Sequence, residues 1–268
     1  MKRRFYADEV LHIYQIIVSG FNIFYSTEDF LVFYTIISVY ARRYGITLLG
    51  LCQMIDHIHL LGSSRDLESM SRFISASTSQ YVKEFNKKTG RTGRLFEKEY
   101  GSAIKKEVKK IRSAIAYLFN NPVEKMLCAR AEEYRWNYLR YFGEVRLKAL
   151  RHCSWRLRKS IKIVQERCSK GQYLKYSLIE MAFKGLEKEE KEYLTDWIIK
   201  LYFPFDVRKV TSYYRSHTEM LIAINSNTGS EHDIIEHSYC KTDVPYREMM
   251  VILKKTGLTD IKSVIMWP

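Results

Sequence analysis

Residues 50–62 read Gly-Leu-Cys-Gln-Met-Ile-Asp-His-Ile-His-Leu-Leu-Gly, an apolar run that holds two histidines one residue apart. Such a run reads as a strand, in which successive side chains point to opposite faces. His57 and His59 therefore point the same way, about 7 Å apart along the backbone, while Ile58 and Leu60 face the opposite layer. Two imidazoles on one face can share a metal ion, although the same pattern also describes an ordinary pair of sheet histidines. A second constellation, about sixty residues further on, bears on the choice.

The segments around this strand follow from periodicity and capping. Residues 12–18 (His-Ile-Tyr-Gln-Ile-Ile-Val) have the β-branched and aromatic content of a buried strand. After a turn around Gly20 and Asn22, Ser26 or Thr27 can cap a helix with Glu28 and Asp29 in its first turn. Phe30, Leu31, Phe33, Tyr34, Ile37 and Tyr40 recur at helical spacing, and Arg42, Arg43 and Gly45 end the helix. Residues 46–54 form a second strand, Asp56 marks a tight turn, and 57–61 return antiparallel to it. A polar amphipathic helix then covers 67–88 and stops at Thr89-Gly90. The basic loop Arg91-Thr-Gly-Arg-Leu-Phe-Glu-Lys-Glu-Tyr100 leads into a short strand near 99–104. A further helix, 106–120, is expected to stop before Pro122.

The order β-α-β-β-α-β-α describes an α+β fold. It is a ferredoxin-like split β-α-β antiparallel sheet with helices on one face, plus one extra helix. A boundary falls near Gly143, giving a first domain of residues 1–143 and a helical C-terminal region of 144–268. Before the boundary, Glu133-Tyr-Arg-Trp136-Asn-Tyr138 is an aromatic segment expected to pack back on the sheet domain. After it, Arg146, Lys148, Arg151, Arg156, Arg158, Lys159, Lys162, Arg167 and Lys170 form a basic arm with Glu166 as its one acid. Helices are expected at 173–183, 187–201, 217–225 and 246–255. They suit either a helix-turn-helix-like DNA module or a plain bundle serving as a dimer or partner surface.

Net charge narrows the partner. With 44 Lys and Arg against 30 Asp and Glu the formal charge is +14, which points to a polyanion, either nucleic acid or an anionic membrane surface. Arg42 and Arg43 close the longest apolar run before it reaches membrane-spanning length. The start, Met1-Lys-Arg-Arg-Phe-Tyr-Ala-Asp-Glu, lacks a small-residue cleavage site, so no signal peptide is expected. The five cysteines (Cys52, Cys128, Cys153, Cys168, Cys240) form no Cys-x-x-Cys pair. That argues against disulfides or a zinc site and for a reducing cytosol. The expected setting is cytoplasmic and nucleoid-associated, with nucleic acid as partner and no membrane.

The second constellation is Tyr117-Leu-Phe-Asn-Asn121-Pro-Val. Tyr117 and Asn121 are four residues apart and share one helix face, about a turn from each other. A tyrosine followed one turn later by an amide can offer a nucleophile and a metal ligand to one centre; packing alone also accounts for either residue.

These stretches together resemble the single-tyrosine HUH transposases, the small insertion-sequence and REP-associated tyrosine transposases. Met54-Ile-Asp-His57-Ile-His59-Leu-Leu is similar to their His-hydrophobic-His strand, with Asp56 standing where the family usually has a proline-asparagine or similar turn. Gly93-Arg-Leu-Phe-Glu-Lys-Glu-Tyr100, the Tyr117 segment and Glu132-Glu-Tyr-Arg-Trp136-Asn-Tyr follow the family's order. The resemblance spans residues 10–142 and leaves everything beyond 145 outside it.

The resemblance implies an HUH endonuclease fold and a metal-dependent enzyme that nicks and joins single-stranded, hairpin-containing DNA. Tyr117 would be the nucleophile, becoming linked to a 5′ phosphate and freeing a 3′ hydroxyl. An unperturbed phenol has a pKa of about 10, so at neutral pH it needs help. His57, His59 and Asn121 would hold Mg²⁺ or Mn²⁺, an ion that polarises the scissile phosphate. No carboxylate is obvious in the set, so affinity without DNA should be weak. Arg91, Arg94, Lys105, Lys106, Lys109, Lys110 and Arg112 are candidates for phosphate contacts, which give salt-dependent affinity rather than sequence choice. Tyr81 and Tyr100 are better read as packing than as base stacks. His12, His152, His217, His232 and His237 have no paired spacing and receive no chemistry. A homodimer is compatible with the pattern, and could set Tyr117 against a partner's histidines. The rival readings are a non-cleaving DNA-binding regulator derived from a transposase and, more distantly, an RNA binder.

Overall fold

The computed structural model describes residues 7–18, 22–97, 100–143 and 153–226. Four strands form one antiparallel sheet: β1 (Val10–Ile16), β2 (Thr47–Gln53), β3 (His57–Ser63) and β4 (Gly101–Lys105), in the order β2-β3-β1-β4. With helices α1 (Thr27–Arg43) and α2 (Leu67–Thr89) between them, this is the expected split β-α-β arrangement. Gln53, on the Ile58 side of the sheet, donates from Nε2 to the Phe30 carbonyl of α1 (3.3 Å), and α2 packs beside α1. The extra helix, α3 (Val108–Glu124), covers the other face, where Leu118 and Phe119 close on Gly50 of β2.

Local chemistry sets the element ends. Ser26 and Asp29 form a reciprocal capping box at the start of α1, with Asp29 Oδ2 accepting from the Ser26 amide at 2.9 Å, an arrangement worth about 1 kcal/mol. Asp66 caps α2 through the Ser69 amide at 2.6 Å, and Gly90 ends it at φ +69°. Helix α3 does not stop before Pro122 as its sequence suggests; it continues to Glu124. Proline's fixed φ is helical; Pro122 costs the ladder one N–H and crowds the carbonyl four residues back, and the helix ends two residues after it.

The aromatic segment before Gly143 folds as three short 3₁₀ turns, Ala131–Glu133, Arg135–Asn137 and Leu139–Phe142. Trp136 stacks on Phe30 with ring centroids 4.3 Å apart, and Tyr138 stacks on Tyr34 at the same distance. The Tyr134 hydroxyl donates to the Gln53 carbonyl (2.7 Å), and Asn137 Nδ2 donates to the Phe119 carbonyl (3.0 Å). This segment thus joins β2, α1 and α3.

Five further helices follow: α4 (Trp155–Ser169), α5 (Tyr176–Phe183), α6 (Lys188–Leu201), α7 (Val207–Thr211) and α8 (His217–Asn225). Much of the basic arm is therefore the helix α4, while Arg146, Lys148, Arg151, the expected 246–255 helix, His152, His232, His237 and Cys240 lie outside the described residues. Residues 29–41 of α1 are all buried, although only one helix face was expected to be. The apolar surface of α1 runs all round it, as befits a helix enclosed on every side. Its outer side meets the C-terminal helices: Tyr34 donates to the Ile199 carbonyl (2.8 Å), Tyr176 to Asp29 Oδ1 (2.8 Å), and Thr35 Oγ1 accepts from the Leu174 amide (3.1 Å). Phe205 makes a parallel bridge to Leu48 of β2.

Arg135 is the charged centre of that junction. Its buried guanidinium pairs with Glu192 and lies 3.5 Å from Asp196, which also accepts the Tyr141 hydroxyl at 2.5 Å. Among the described cysteines Cys52 and Cys128 are buried free thiols. Burial raises both well above the ordinary thiol range, Cys128 to about 12, so they stay protonated. No helix among the described residues is long and apolar enough to cross a membrane.

Two outcomes follow from this packing. Burial raises the Asp196 carboxyl above its ordinary value, against the opposing pull of Arg135 and the Tyr141 hydroxyl. Arg135→Met removes the guanidinium and strands that carboxylate, which should lower stability by about 3 kcal/mol at pH 7 in urea unfolding. Because an acid with a raised folded pKa is least stable when ionised, the deficit should shrink as pH falls toward the carboxylate range; a deficit unchanged by pH would contradict the assignment. A fragment ending at residue 143 exposes the outer face of α1 and should lose the cooperative thermal transition of the full chain. A fragment melting as sharply and as high would show that the C-terminal helices are dispensable.

Candidate functional site

Register decides which side chains meet. In antiparallel pairing Tyr14 lies opposite His59, His12 opposite Leu61, and Ile16 opposite His57. Residues directly across share a face, so His12 and Tyr14 of β1 join His57 and His59 of β3 on the side covered by α3. Gly101 of β4 lies opposite Tyr14, whose ring occupies the space that a Cβ at residue 101 would need.

Tyr117 comes down from α3 onto this group. Its ring centroid is 5.4 Å from that of His59 and 5.7 Å from that of His12, and the His57 and His59 rings are 4.9 Å apart. One turn further along α3, Asn121 Nδ2 is 3.4 Å from His59 Nε2. Tyr117, His57, His59 and Asn121 therefore converge within a single chain. All four are buried, Tyr117 at 6 % and His57 at 9 % exposure keeping the little solvent contact there is.

Each imidazole is held from behind by a different group. His57 Nδ1 lies 2.7 Å from Asp56 Oδ1, and His59 Nδ1 lies 3.2 Å from His12 Nε2. Asp56 thus does more than turn the chain. Neither Asp56 nor His12 was assigned a part from the sequence. The available signal was alternation: in a split β-α-β sheet the first strand lies beside the third, so even-numbered residues of 10–16 face the histidines.

The residues present suit a divalent ion. Asn121 Oδ1 is buried without a hydrogen-bond partner among the described residues, and it sits on the side chain that already reaches His59 Nε2. Two imidazoles and an amide oxygen would leave further positions to phosphate and water. No group of three or more His, Cys, Asp or Glu side chains among the described residues is arranged to hold a metal. That agrees with His12 directing its Nε2 at His59 rather than at a shared centre.

The basic candidates divide. Arg94, Lys106, Lys109 and Lys110 are exposed and Arg91 is half-buried. Arg112 is held by Glu219 of α8 (3.1 Å) and lies over the Tyr214 ring (4.7 Å). Lys105, expected with the surface charge run, is fully buried at the end of β4. Paired across from Val10, it shares the sheet face of His12 and Tyr14. Tyr81 is core, donating to the Ile23 carbonyl, and the Tyr100 hydroxyl meets Ser71 Oγ.

Residues 13–121 match the family model described as IS200-like transposase, a span that runs from β1 to Asn121. No curated protein matches the chain. Among solved structures, that of a REP-associated tyrosine transposase bound to a REP hairpin aligns with it at 16 % identity and a TM-score of 0.41. The alignment covers 51 % of this chain and 80 % of that one. Residues 13–121, which hold the paired histidines and Tyr117, are thus similar to the IS200-like transposase family.

Proposed function

We propose that the chain is a single-stranded DNA nicking and joining enzyme, acting on hairpin-containing DNA with Tyr117 as nucleophile. The observation that carries this reading is the approach of Tyr117 to His59 within one chain, with Asn121 beside the same imidazole. Residues 1–143 would carry the chemistry, and the helical remainder would brace α1 and hold Arg112 of α3.

In the reaction the Tyr117 oxygen attacks the phosphorus in line with the departing 3′ oxygen. The bond from Tyr117 to the 5′ phosphate forms as the bond to the 3′ oxygen breaks. The phenol gives up its proton, and the leaving oxygen takes one up to become a 3′ hydroxyl. One phosphodiester replaces another, so attack by a 3′ hydroxyl on the phosphotyrosine reverses the step without an outside energy source. His57, His59 and Asn121 would hold Mg²⁺ or Mn²⁺, whose chemistry there is to polarise the phosphoryl oxygens and stabilise the departing alkoxide. Asp56 holds the His57 ring in place, and α3 keeps Tyr117 and Asn121 in fixed relation one turn apart. Exposed Arg94, Lys106, Lys109 and Lys110 would neutralise phosphates of the bound strand, giving affinity that falls with salt.

Incubation with hairpin-bearing single strands and Mn²⁺ should yield a covalent protein–DNA adduct that survives denaturation. Tyr117→Phe should abolish it, EDTA should abolish it, and His57→Ala or His59→Ala should slow it by at least about a hundredfold. Tight hairpin binding with no adduct under either metal would instead identify a non-cleaving regulator. Because both halves of the site come from one chain, mixing Tyr117→Phe with His59→Ala should restore no adduct. Restoration would show that Tyr117 acts on the histidines of a second copy.

A further inference from the structure

We infer that His12 is a positioning residue that sets the tautomer of His59, an inference that rests on the metal-dependent reading above. His12 is fully buried on the strand next to His59, with Nε2 3.2 Å from His59 Nδ1 and the two ring planes 59° apart. The opposite nitrogen of His59, Nε2, faces Asn121 at 3.4 Å. His59 is therefore gripped at both ends, by an imidazole at Nδ1 and by an amide at Nε2.

A neutral imidazole carries one N–H, and only the other nitrogen has a lone pair for an ion. If His59 is protonated on Nδ1, it donates to His12 Nε2, and its Nε2 lone pair faces Asn121 and the space beside Tyr117. If it is protonated on Nε2, the lone pair points away from the site toward His12. An N–H on Nε2 would then meet the Asn121 amide nitrogen, a second donor, unless that amide turned over. The first arrangement satisfies both contacts as they stand, with His12 protonated on its own Nδ1. His12 thus does for His59 what the Asp56 carboxylate, at 2.7 Å, does for His57. The difference is that His12 adds no negative charge. Partners of this kind fix ring orientation, and losing one lowers metal affinity by about 10–100-fold.

The test compares the wild type with His12→Phe, which keeps a ring but offers no acceptor, and His12→Gln, whose amide oxygen can take the place of Nε2. In metal-free protein, ¹⁵N NMR of the His59 ring, assigned through His59→Ala, should show the lone pair on Nε2 in the wild type and in His12→Gln. In His12→Phe the proton should be shared between the two nitrogens. Mn²⁺ affinity, read from the electron paramagnetic resonance signal of the free ion, should fall about 10–100-fold in His12→Phe and recover to within about threefold in His12→Gln. A wild-type His59 protonated on Nε2 overturns the inference without any variant. Wild-type Mn²⁺ affinity in His12→Phe overturns it too while leaving the metal reading intact. A wild type that binds Mn²⁺ no better than the His57→Ala, His59→Ala double variant removes the metal reading and this inference with it.

Discussion

Helix α3 can lie close over the histidine face because the strand beneath it lacks a side chain at one point. A Cβ on Gly50 would sit 3.1 Å from both Leu118 and Phe119, tighter than ordinary packing. Those two residues follow Tyr117 directly, so the depth at which they settle sets how near the phenol comes to His59. From the far side, Asn137 donates to the Phe119 carbonyl and fixes the same turn of helix. Without that close approach the tyrosine and the imidazoles would belong to separate layers of a sandwich.

The opposite layer explains why the C-terminal helices matter to a site they do not enter. In a two-layer sheet-and-helix fold the outer side of α1 would face water and be polar. Here Tyr34, Thr35, Ile36 and Ser38 are all fully buried, with the Tyr34 hydroxyl donating to the Ile199 carbonyl of α6 and Thr35 Oγ1 accepting from the Leu174 amide ahead of α5. Trp136 and Tyr138 stack on Phe30 and Tyr34 of the same helix while their segment holds α3 through Asn137. Movement of α1 would therefore reach α3 through the 3₁₀ turns. On the outer side of α3, Glu219 and Tyr214 hold Arg112, so the helix that carries Tyr117 is braced on two sides.

Much of this could be read from residue order, and what could not had specific causes. The capping box at Ser26, the hairpin at Asp56 and the glycine stop at Gly90 are local, depending on residues within a few positions of each other. Tyr117 and Asn121 were legible for the same reason, since a spacing of four places them on one helix face. The extent of α3 past Pro122 was not, because proline near a helix end is tolerated by geometry that the residue type alone does not reveal. The full enclosure of α1 was hidden as well: its apolar residues were visible, but the helices that cover its outer side lie more than a hundred residues away in sequence. The placement of His12 and the burial of Lys105 were hidden in the same way. Each is a polar residue in a strand, and which face it joins depends on long-range register.

The location of the positive charge also bears on what kind of DNA fits. Lys106, Lys109, Lys110 and Arg94 are exposed, whereas Tyr117 and His57 are almost wholly covered. A phosphate bound only to the surface lysines would stop short of the phenol. In the proposed reaction the backbone would have to leave the regular path of a duplex to reach it, which a single strand can do without the loss of base pairing. Surface charge would then gather DNA of any form, and the buried tyrosine would select the part of it that is unpaired.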